Sequence, residues 1–203
     1  MLSVFRDKIH KREKGQSFVE LSLVVIFLMI FVAGIVEFGF MLNNYLNLVD
    51  ASREAVRYSA DSDPFVRDEN GNFVLDSNGN KVVNNQFFEQ TATLTRDVLA
   101  PVVLDTSVGD DVVISFFSVG NGVFIRYPLG TQGWSANGTQ VSKLSSAEIQ
   151  SRVDTTAPPT GVLLVEIFYH YNQVLKLPIF TAFVRDPMPV YVYAIMPLTA
   201  AEP

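Results

Sequence analysis

Few side chains in this sequence could do chemistry, and the carboxylates among them sit in unusual company. Histidine occurs twice, as His10 in a basic N-terminal stretch and as His170 between Tyr169 and Tyr171. A relay built on His170 requires a nucleophile or a carboxylate beside it in space. Glu166 is its nearest carboxylate along the chain. In an alternating strand, His170 reads as a structural or surface residue and Glu166 as a solvated one. No H-E-x-x-H, P-loop or G-x-S-x-G pattern occurs. Cysteine is absent, which excludes a disulfide framework, a thiol nucleophile and a thiolate metal site. The unit Asp-x-Asn-Gly-Asn appears at Asp68–Asn72 and again at Asp76–Asn80, and its oxygens are hard ligands of the kind calcium takes. The EF-hand spacing fails, with Val66 five residues before Gly71 and Ser77 where a bidentate Glu is needed. The repeat therefore reads as two hairpin turns, each with both residues of an Asn-Gly pair at positive φ. Trp134, in the glycine-rich "GTQGWSANGT", reads as a loop-packing residue, and Asn137-Gly-Thr139 fits a glycosylation sequon. Nothing in this set points to an enzyme, a cofactor or a metal centre.

Two other carboxylates carry more information. Glu20 stands at the mouth of an apolar run and Glu37 near its far end, with sixteen uncharged residues, Leu21 to Val36, between them. On insertion scales an Asp at mid-membrane costs about 2.5–3.5 kcal/mol, and less near the interface. Glu20 is therefore expected to meet a cation. The lysines and arginines just upstream are one source. A cut after Gly15 would create another, the amine of Gln16, four residues before Glu20. Donated to the Glu20 of a neighbouring helix, that amine would set the axial register of a helical assembly. Glu37 is placed at the outer interface or in a helix–helix contact, and snorkelling into the headgroups accounts for it equally well.

The elements that hold these groups follow from the apolar pattern. From Phe18 to Leu42 a helix would span roughly 36 Å, enough for a bilayer core. The run ends in "FGFMLNNYL", a poor signal-peptidase site, so it reads as an anchor and not as a secretory signal. The net charge of −6 is unevenly spread. Arg6, Lys8, Lys11, Arg12 and Lys14 against Asp7 and Glu13 make the first fifteen residues +3, leaving −9 for the rest. Cations directly before the span place the N-terminus in the cytoplasm and the C-terminal part outside. The acidic remainder argues against nucleic acid as a partner. Beyond the span, Tyr45, Leu48, Ala51 or Ser52, Ala55 and Tyr58 or Ser59 recur at helical steps. Arg53, Glu54 and Arg57 fall on the wetter side, with Glu54 and Arg57 spaced as an i,i+3 pair. Pro64 ends the pattern.

The expected organisation is a basic leader (1–15), a transmembrane and extended spine helix (16–60) and an exported head (61–203). The fold class is α+β: a long helix over about 17–60, then an antiparallel sheet packed on helix, with the spine as its cover. In the head, "QFFEQTATLTRDVLA" reads as a helix with Phe87, Thr91, Leu94 and Val98 on one face. "DVVISFFSV" and "GVFIRYPL" read as a hairpin across Gly120–Gly122. Ser145 to Glu148 forms a capping box opening a short helix through Val153. "APPTG" breaks the chain before the strand "VLLVEIFYHYNQ", "LPIFTAFVRDP" is ambiguous, and "MPVYVYAIMP" is a last strand.

The N-terminal stretch resembles a known group. A basic leader ending in Gly15, then Gln16-Ser17-Phe18-Val19-Glu20 and an apolar helix, is similar to the class III signal of type IV pilins and pseudopilins. Its continuation resembles the TadE-like family of tight-adherence (Flp, type IVc) pilus proteins over about residues 11–60. The shared features are Gly15-Gln16, Glu20, the block Gly34-Ile35-Val36-Glu37-Phe38-Gly39, and Ala51-Ser52-Arg53-Glu54-Ala55 followed by Arg57-Tyr58. The resemblance implies a minor pilin or pseudopilin, since residues 61–203 exceed the head of a major Flp pilin. It implies cleavage after Gly15 by prepilin peptidase, and assembly with other pilins and pseudopilins on the inner-membrane Tad platform in contact with membrane lipid. The family's early helix proline is replaced here by Val24-Val25-Ile26, so no kink is expected. The alternative is an uncleaved, membrane-anchored exported domain that binds a ligand or partner.

Overall fold

The computed structural model describes the backbone of residues 2–154 and 160–203, and side chains from residue 16 onward except 155–159 and 179. The side chains of the basic leader and the expected break at Ala157–Pro159 lie outside the described residues. With no proline before Pro64, α1 (Leu2–Ser59) runs uninterrupted; it starts within the leader and not near residue 17 as expected, and it ends just before the Asp61–Pro64 stop. By contacts the chain divides into two compact units. One is the helix up to Leu42 with Gln173–Arg185, and the other is Asn43–Asn172 with Asp186–Pro203.

The second unit is built on an antiparallel sheet of β1 (Asp111–Gly120), β2 (Val123–Tyr127), β3 (Trp134–Ser135), β4 (Thr160–Tyr171) and β5 (Met188–Pro197). The strand order is β2-β1-β4-β5, with β3 pairing the end of β1 that β2 leaves open. Strands β1 and β4 run side by side from Asp111↔Phe168 to Val119↔Thr160 and are buried on both faces. That explains why they read as continuous apolar runs and not as alternating ones. On one face, Val112, Ile114, Phe116, Leu163, Val165 and Ile167 meet Leu48, Ala51, Ala55 and Val56 of α1. A second helix, α2 (Asn85–Leu99), adds Phe87, Phe88, Ala92 and Leu99 to the same cover. On the other face, Phe117, Val119, Val162 and Leu164 pack under Leu144 and under Ile149 of α3 (Ser146–Gln150). The α+β class and the sheet on the spine helix are thus as the sequence implies.

Aromatic rings dominate the helix-covered face. Phe116 stacks on Tyr127 at 4.9 Å and on Phe88 at 5.9 Å, and Phe88 stacks in turn on Trp134 at 5.6 Å. Phe65 meets Phe73, Phe116 and Tyr127 edge to face. Trp134 packs as expected, but from the short strand β3 and not from a loop. Its backbone pairs with Ile114, which converts the glycine-rich stretch into an extra sheet edge.

Several local expectations shift. On α2 the buried residues are Phe87, Phe88, Thr91, Ala92, Thr95 and Leu99, while Leu94 is half-buried and Val98 exposed. Pairing Phe87 with Phe88 against the sheet turns the buried stripe away from Val98. On α1 the buried positions are Leu48, Ala51, Ser52, Ala55, Val56 and Ser59, and Tyr45 and Tyr58 are exposed. Small residues there let the helix approach the sheet closely. Ser59 is also held by a hydrogen bond from the Thr91 hydroxyl at 2.8 Å. Arg57 donates to Glu54 across the expected i,i+3 spacing, which holds the Glu54 carboxyl below its usual range. The capping box at Ser145 and Glu148 is formed, but the helix ends at Gln150. The ambiguous "LPIFTAFVRDP" contains a single helical turn, α4 (Pro178–Thr181).

The Asp-x-Asn-Gly-Asn units do turn the chain, in a different geometry from the one expected. Only the glycines, Gly71 and Gly79, take positive φ; Asn70 and Asn78 do not. Each aspartate does the local work: Asp68 Oδ1 accepts from the backbone N–H groups of Asn70 and Asn72 at 2.9 and 2.8 Å, and Asp76 repeats this with Asn78 and Asn80. The Asx bonds replace the mirror-image turn, so the second asparagine of each unit serves as donor. Bridges Phe65↔Val83, Arg67↔Phe73 and Leu75↔Lys81 continue the arm.

Backbone hydrogen bonds from Asn72 and Asn80 lower the Asp68 and Asp76 carboxyls below the ordinary 3.8. A depressed carboxyl contributes order that is present above its unfolded value and lost as pH falls through the folded one. NMR titration of the two side-chain carboxyl carbons should therefore give midpoints below 3.8, with the Asn72 and Asn80 amide signals moving in step. In the core, Phe88→Ala is expected to cost about 3–5 kcal/mol, read as a lowered denaturant midpoint of the full chain in detergent.

Candidate functional site

Within α1, Gln16–Ser59 is long and apolar enough to cross a membrane; its most apolar stretch has a mean hydropathy of 2.8, and none of that stretch is buried. Such a helix is compatible with anchoring in a bilayer. Glu20 is exposed at its start, and its Oε1 accepts from Gln16 Nε2 at 3.2 Å. The i,i+4 spacing puts the two side chains on one face. The residue that precedes the expected cut, Gly15, belongs to the leader whose side chains are not described. Ser22 donates its hydroxyl to the Phe18 carbonyl at 2.8 Å and is satisfied locally.

Glu37 has a different setting. Its two oxygens accept from the backbone N–H groups of Val174 and Leu175 at 2.9 and 2.8 Å. Three residues earlier, Gly34 lies under the Phe180 ring: a Cβ built on Gly34 would come within 3.1 Å of it. Ile30, Ala33, Gly34, Glu37 and Met41, at steps of three and four, are half-buried, whereas their neighbours around the helix are exposed. The expected block Gly34–Gly39 thus meets a segment of its own chain, 173–185, from more than a hundred residues away. Sequence spacing could mark Glu37 as a residue in need of a partner, but not that the partner is a pair of backbone amides.

With this geometry in view, the comparison with known families is informative. Residues 15–57 match the family model described as TadE-like protein. Over these residues the apolar helix is similar to the TadE-like family. No curated protein and no solved structure matches significantly. The TadE-like match begins at Gly15, takes in Glu20 and Glu37, and ends at Arg57, two residues before α1 stops. It leaves the sheet, α2 and the 173–185 segment outside. The head is therefore described by its own physics alone.

Beyond α1, the carboxylates nearest to His170 and to the 128–153 connection make the following bonds. His170 is not beside Glu166: its Nδ1 and its backbone N–H both contact Asp110 Oδ1 at 2.8 Å. Asp110 is buried, and its other oxygen accepts from the Asp105 N–H. Glu166 is not solvated, as its strand position suggested, but fully buried. It lies under the 128–153 connection on the second face of the sheet, where its Oε1 accepts from the Lys143 N–H at 2.9 Å and from the Tyr191 hydroxyl at 2.6 Å. Burial, then the bond to Glu166, pushes the Tyr191 hydroxyl up from its ordinary value. Burial likewise lowers Arg126, with the Glu166 charge opposing. Arg126 donates to the Leu144 carbonyl and to Ser115 Oγ at 2.8 Å. Asp111, a residue with no sequence signal, organises the 135–140 loop. Its carboxylate accepts from the N–H groups of Asn137, Thr139 and Gln140 and from the hydroxyls of Ser135 and Thr139. The sequon residue Asn137 is engaged at both ends of its amide, donating to the Asp110 carbonyl and accepting from Arg96.

Removing Glu166 would strand the Tyr191 hydroxyl and the Lys143 amide. Glu166→Ala is expected to destabilise the fold by about 1–3 kcal/mol, while Glu166→Ala with Tyr191→Phe recovers part of that loss. Paired unfolding curves check both.

Proposed function

We propose that this protein is a minor pilin or pseudopilin of a Tad (Flp, type IVc) pilus. It enters the inner membrane with its N-terminus in the cytoplasm and its head outside. Prepilin peptidase cuts it between Gly15 and Gln16, and it joins other pilins on the Tad assembly platform to serve surface adherence. The observation that carries this reading is the TadE-like match, which opens at Gly15 and spans the whole exposed apolar helix. A helix with so much uncovered apolar surface is suited first to lipid and then to the packed interior of a filament. Cleavage turns the backbone nitrogen of Gln16 into an ammonium. Glu20, accessible at the start of the helix, would receive that charge from a neighbouring subunit and fix the stagger between helices. The glycine at the cut keeps the scissile bond uncrowded for a peptidase whose own aspartates do the chemistry.

One observation supports the alternative, an uncleaved anchored domain that binds a partner. Glu20 already has a hydrogen-bond donor in its own helix, Gln16 Nε2, before any cut. The mature N-terminus separates the two readings. Mass spectrometry of protein from cells with a Tad system should find a chain starting at Gln16, Gly15→Val should retain the leader, and Glu20→Ala should be processed normally yet be absent from sheared pili. A mature chain that still begins at Met1 would leave only the anchored-domain reading.

A further inference from the structure

The segment Gln173–Arg185 is attached to the apolar part of α1 through Glu37 and Gly34, and it carries apolar side chains that nothing in its own unit covers. Val174, Leu175, Phe183 and Val184 are exposed, Phe183 by 87%. Phe180 of the same segment reaches the helix, where with Phe27, Phe31, Ile35 and Phe38 it lines an open apolar groove of about 490 Å³. The only charges in the segment are Lys176 and Arg185, both cations, in a chain whose remaining body is acidic. We propose that 173–185 is a second membrane-contacting element, seated in the outer leaflet against the span, with its apolar side chains in the acyl region and Lys176 and Arg185 at the lipid phosphates.

Depth, charge and hydrogen bonding agree on this placement. Measured back from Leu42 at helical rise, Glu37 lies about 7.5 Å and Gly34 about 12 Å inside the outer end of the span. A segment fastened there sits at the headgroup–acyl boundary, where amphipathic elements insert by about 5–10 Å. Irregular backbone at that depth must have its N–H groups satisfied by protein, because lipid offers no partners. Glu37 does this for Val174 and Leu175, and the same two bonds remove the cost of a bare carboxylate in the membrane. Gln173 Nε2 closes the segment onto the Val184 carbonyl at 3.2 Å. Lys176 and Arg185 flank Phe180, Phe183 and Val184 along the chain as snorkelling cations do.

The proposal rests on α1 being a membrane span before assembly, and the test separates the two ideas. The chain contains no cysteine, so single nitroxide labels can be placed on the full-length protein reconstituted in phosphatidylcholine–phosphatidylglycerol vesicles. The positions are Phe27→Cys in the span, Phe183→Cys and Val184→Cys in the segment, and Ser77→Cys on the exposed turn. Collision with oxygen reports lipid, and collision with a nickel chelate reports water. The expected result is lipid-side accessibility at 27, 183 and 184 and water-side accessibility at 77, with 183 and 184 shifting toward water in Glu37→Ala. Lipid accessibility at 27 with water accessibility at 183 and 184 overturns the proposal and leaves the span intact. Protection from both reagents at 183 and 184 also overturns it, in favour of a neighbouring copy covering the segment. Water accessibility at 27 removes the span and the proposal together.

Discussion

An uncharged helical stretch from Leu21 to Val36 that its own chain leaves bare has to be taken out of water by something else. Seventeen large apolar side chains between Phe18 and Leu42 are exposed. At about 1.5–3 kcal/mol for full burial of such a side chain, and with each about half exposed, they represent roughly 15–30 kcal/mol. That matches or exceeds the roughly 5–15 kcal/mol by which a typical domain is stable. No rearrangement of the rest of the chain could compensate for leaving this surface in solvent. The cationic leader, the position of the two carboxylates and the membrane-then-filament life proposed for the protein all answer to this one imbalance.

The two carboxylates answer it differently. Glu20, at the entry of the span, has only a side-chain amide one turn away, a weak and solvent-accessible partner. It stays available to a stronger one. Glu37 is bonded to two backbone amides of a segment distant in sequence. Each side of that contact would be costly alone in a low-dielectric setting, and together they are satisfied. A close approach of Phe180 to the helix completes the attachment, and glycine at position 34 makes the approach feasible.

The head obeys a separate constraint. Its central strands β1 and β4 are covered on both faces, by α1 and α2 on one and by the 128–153 connection on the other. Polar groups carried into that second layer must therefore be fully bonded. Asp110 and Asp111 meet the demand by accepting from backbone amides and hydroxyls around them, whereas Glu166 meets it through Oε1 alone, its Oε2 being buried without a hydrogen-bond partner among the described residues. They hold the irregular connections in place, and the residues that first suggested chemistry turn out to be ties between strand and loop.

Much of the architecture is legible in the residue order because periodicity and breakers are local properties. The stop of α1 before Pro64, the β1–β2 hairpin, the capping box at Ser145 and the strands β4 and β5 all follow from patterns within a few residues. The match at 15–57 lies in the stretch where such patterns are strongest. Sequence pattern and structure part where a partner from elsewhere in the chain decides the outcome. The buried stripe of α2 turned on which rings met Phe116, and the burial of Glu166 on a connection crossing its strand. The Asn-Gly turns differed because an aspartate two residues upstream offered bonds that the dipeptide rule ignores. By itself, then, the sequence determined an apolar helix led by cations and flagged by two carboxylates, since hydrophobicity and charge act through composition alone. Only the tertiary structure decided what Glu37 holds and that His170 answers to Asp110, because those bonds join residues tens to more than a hundred positions apart.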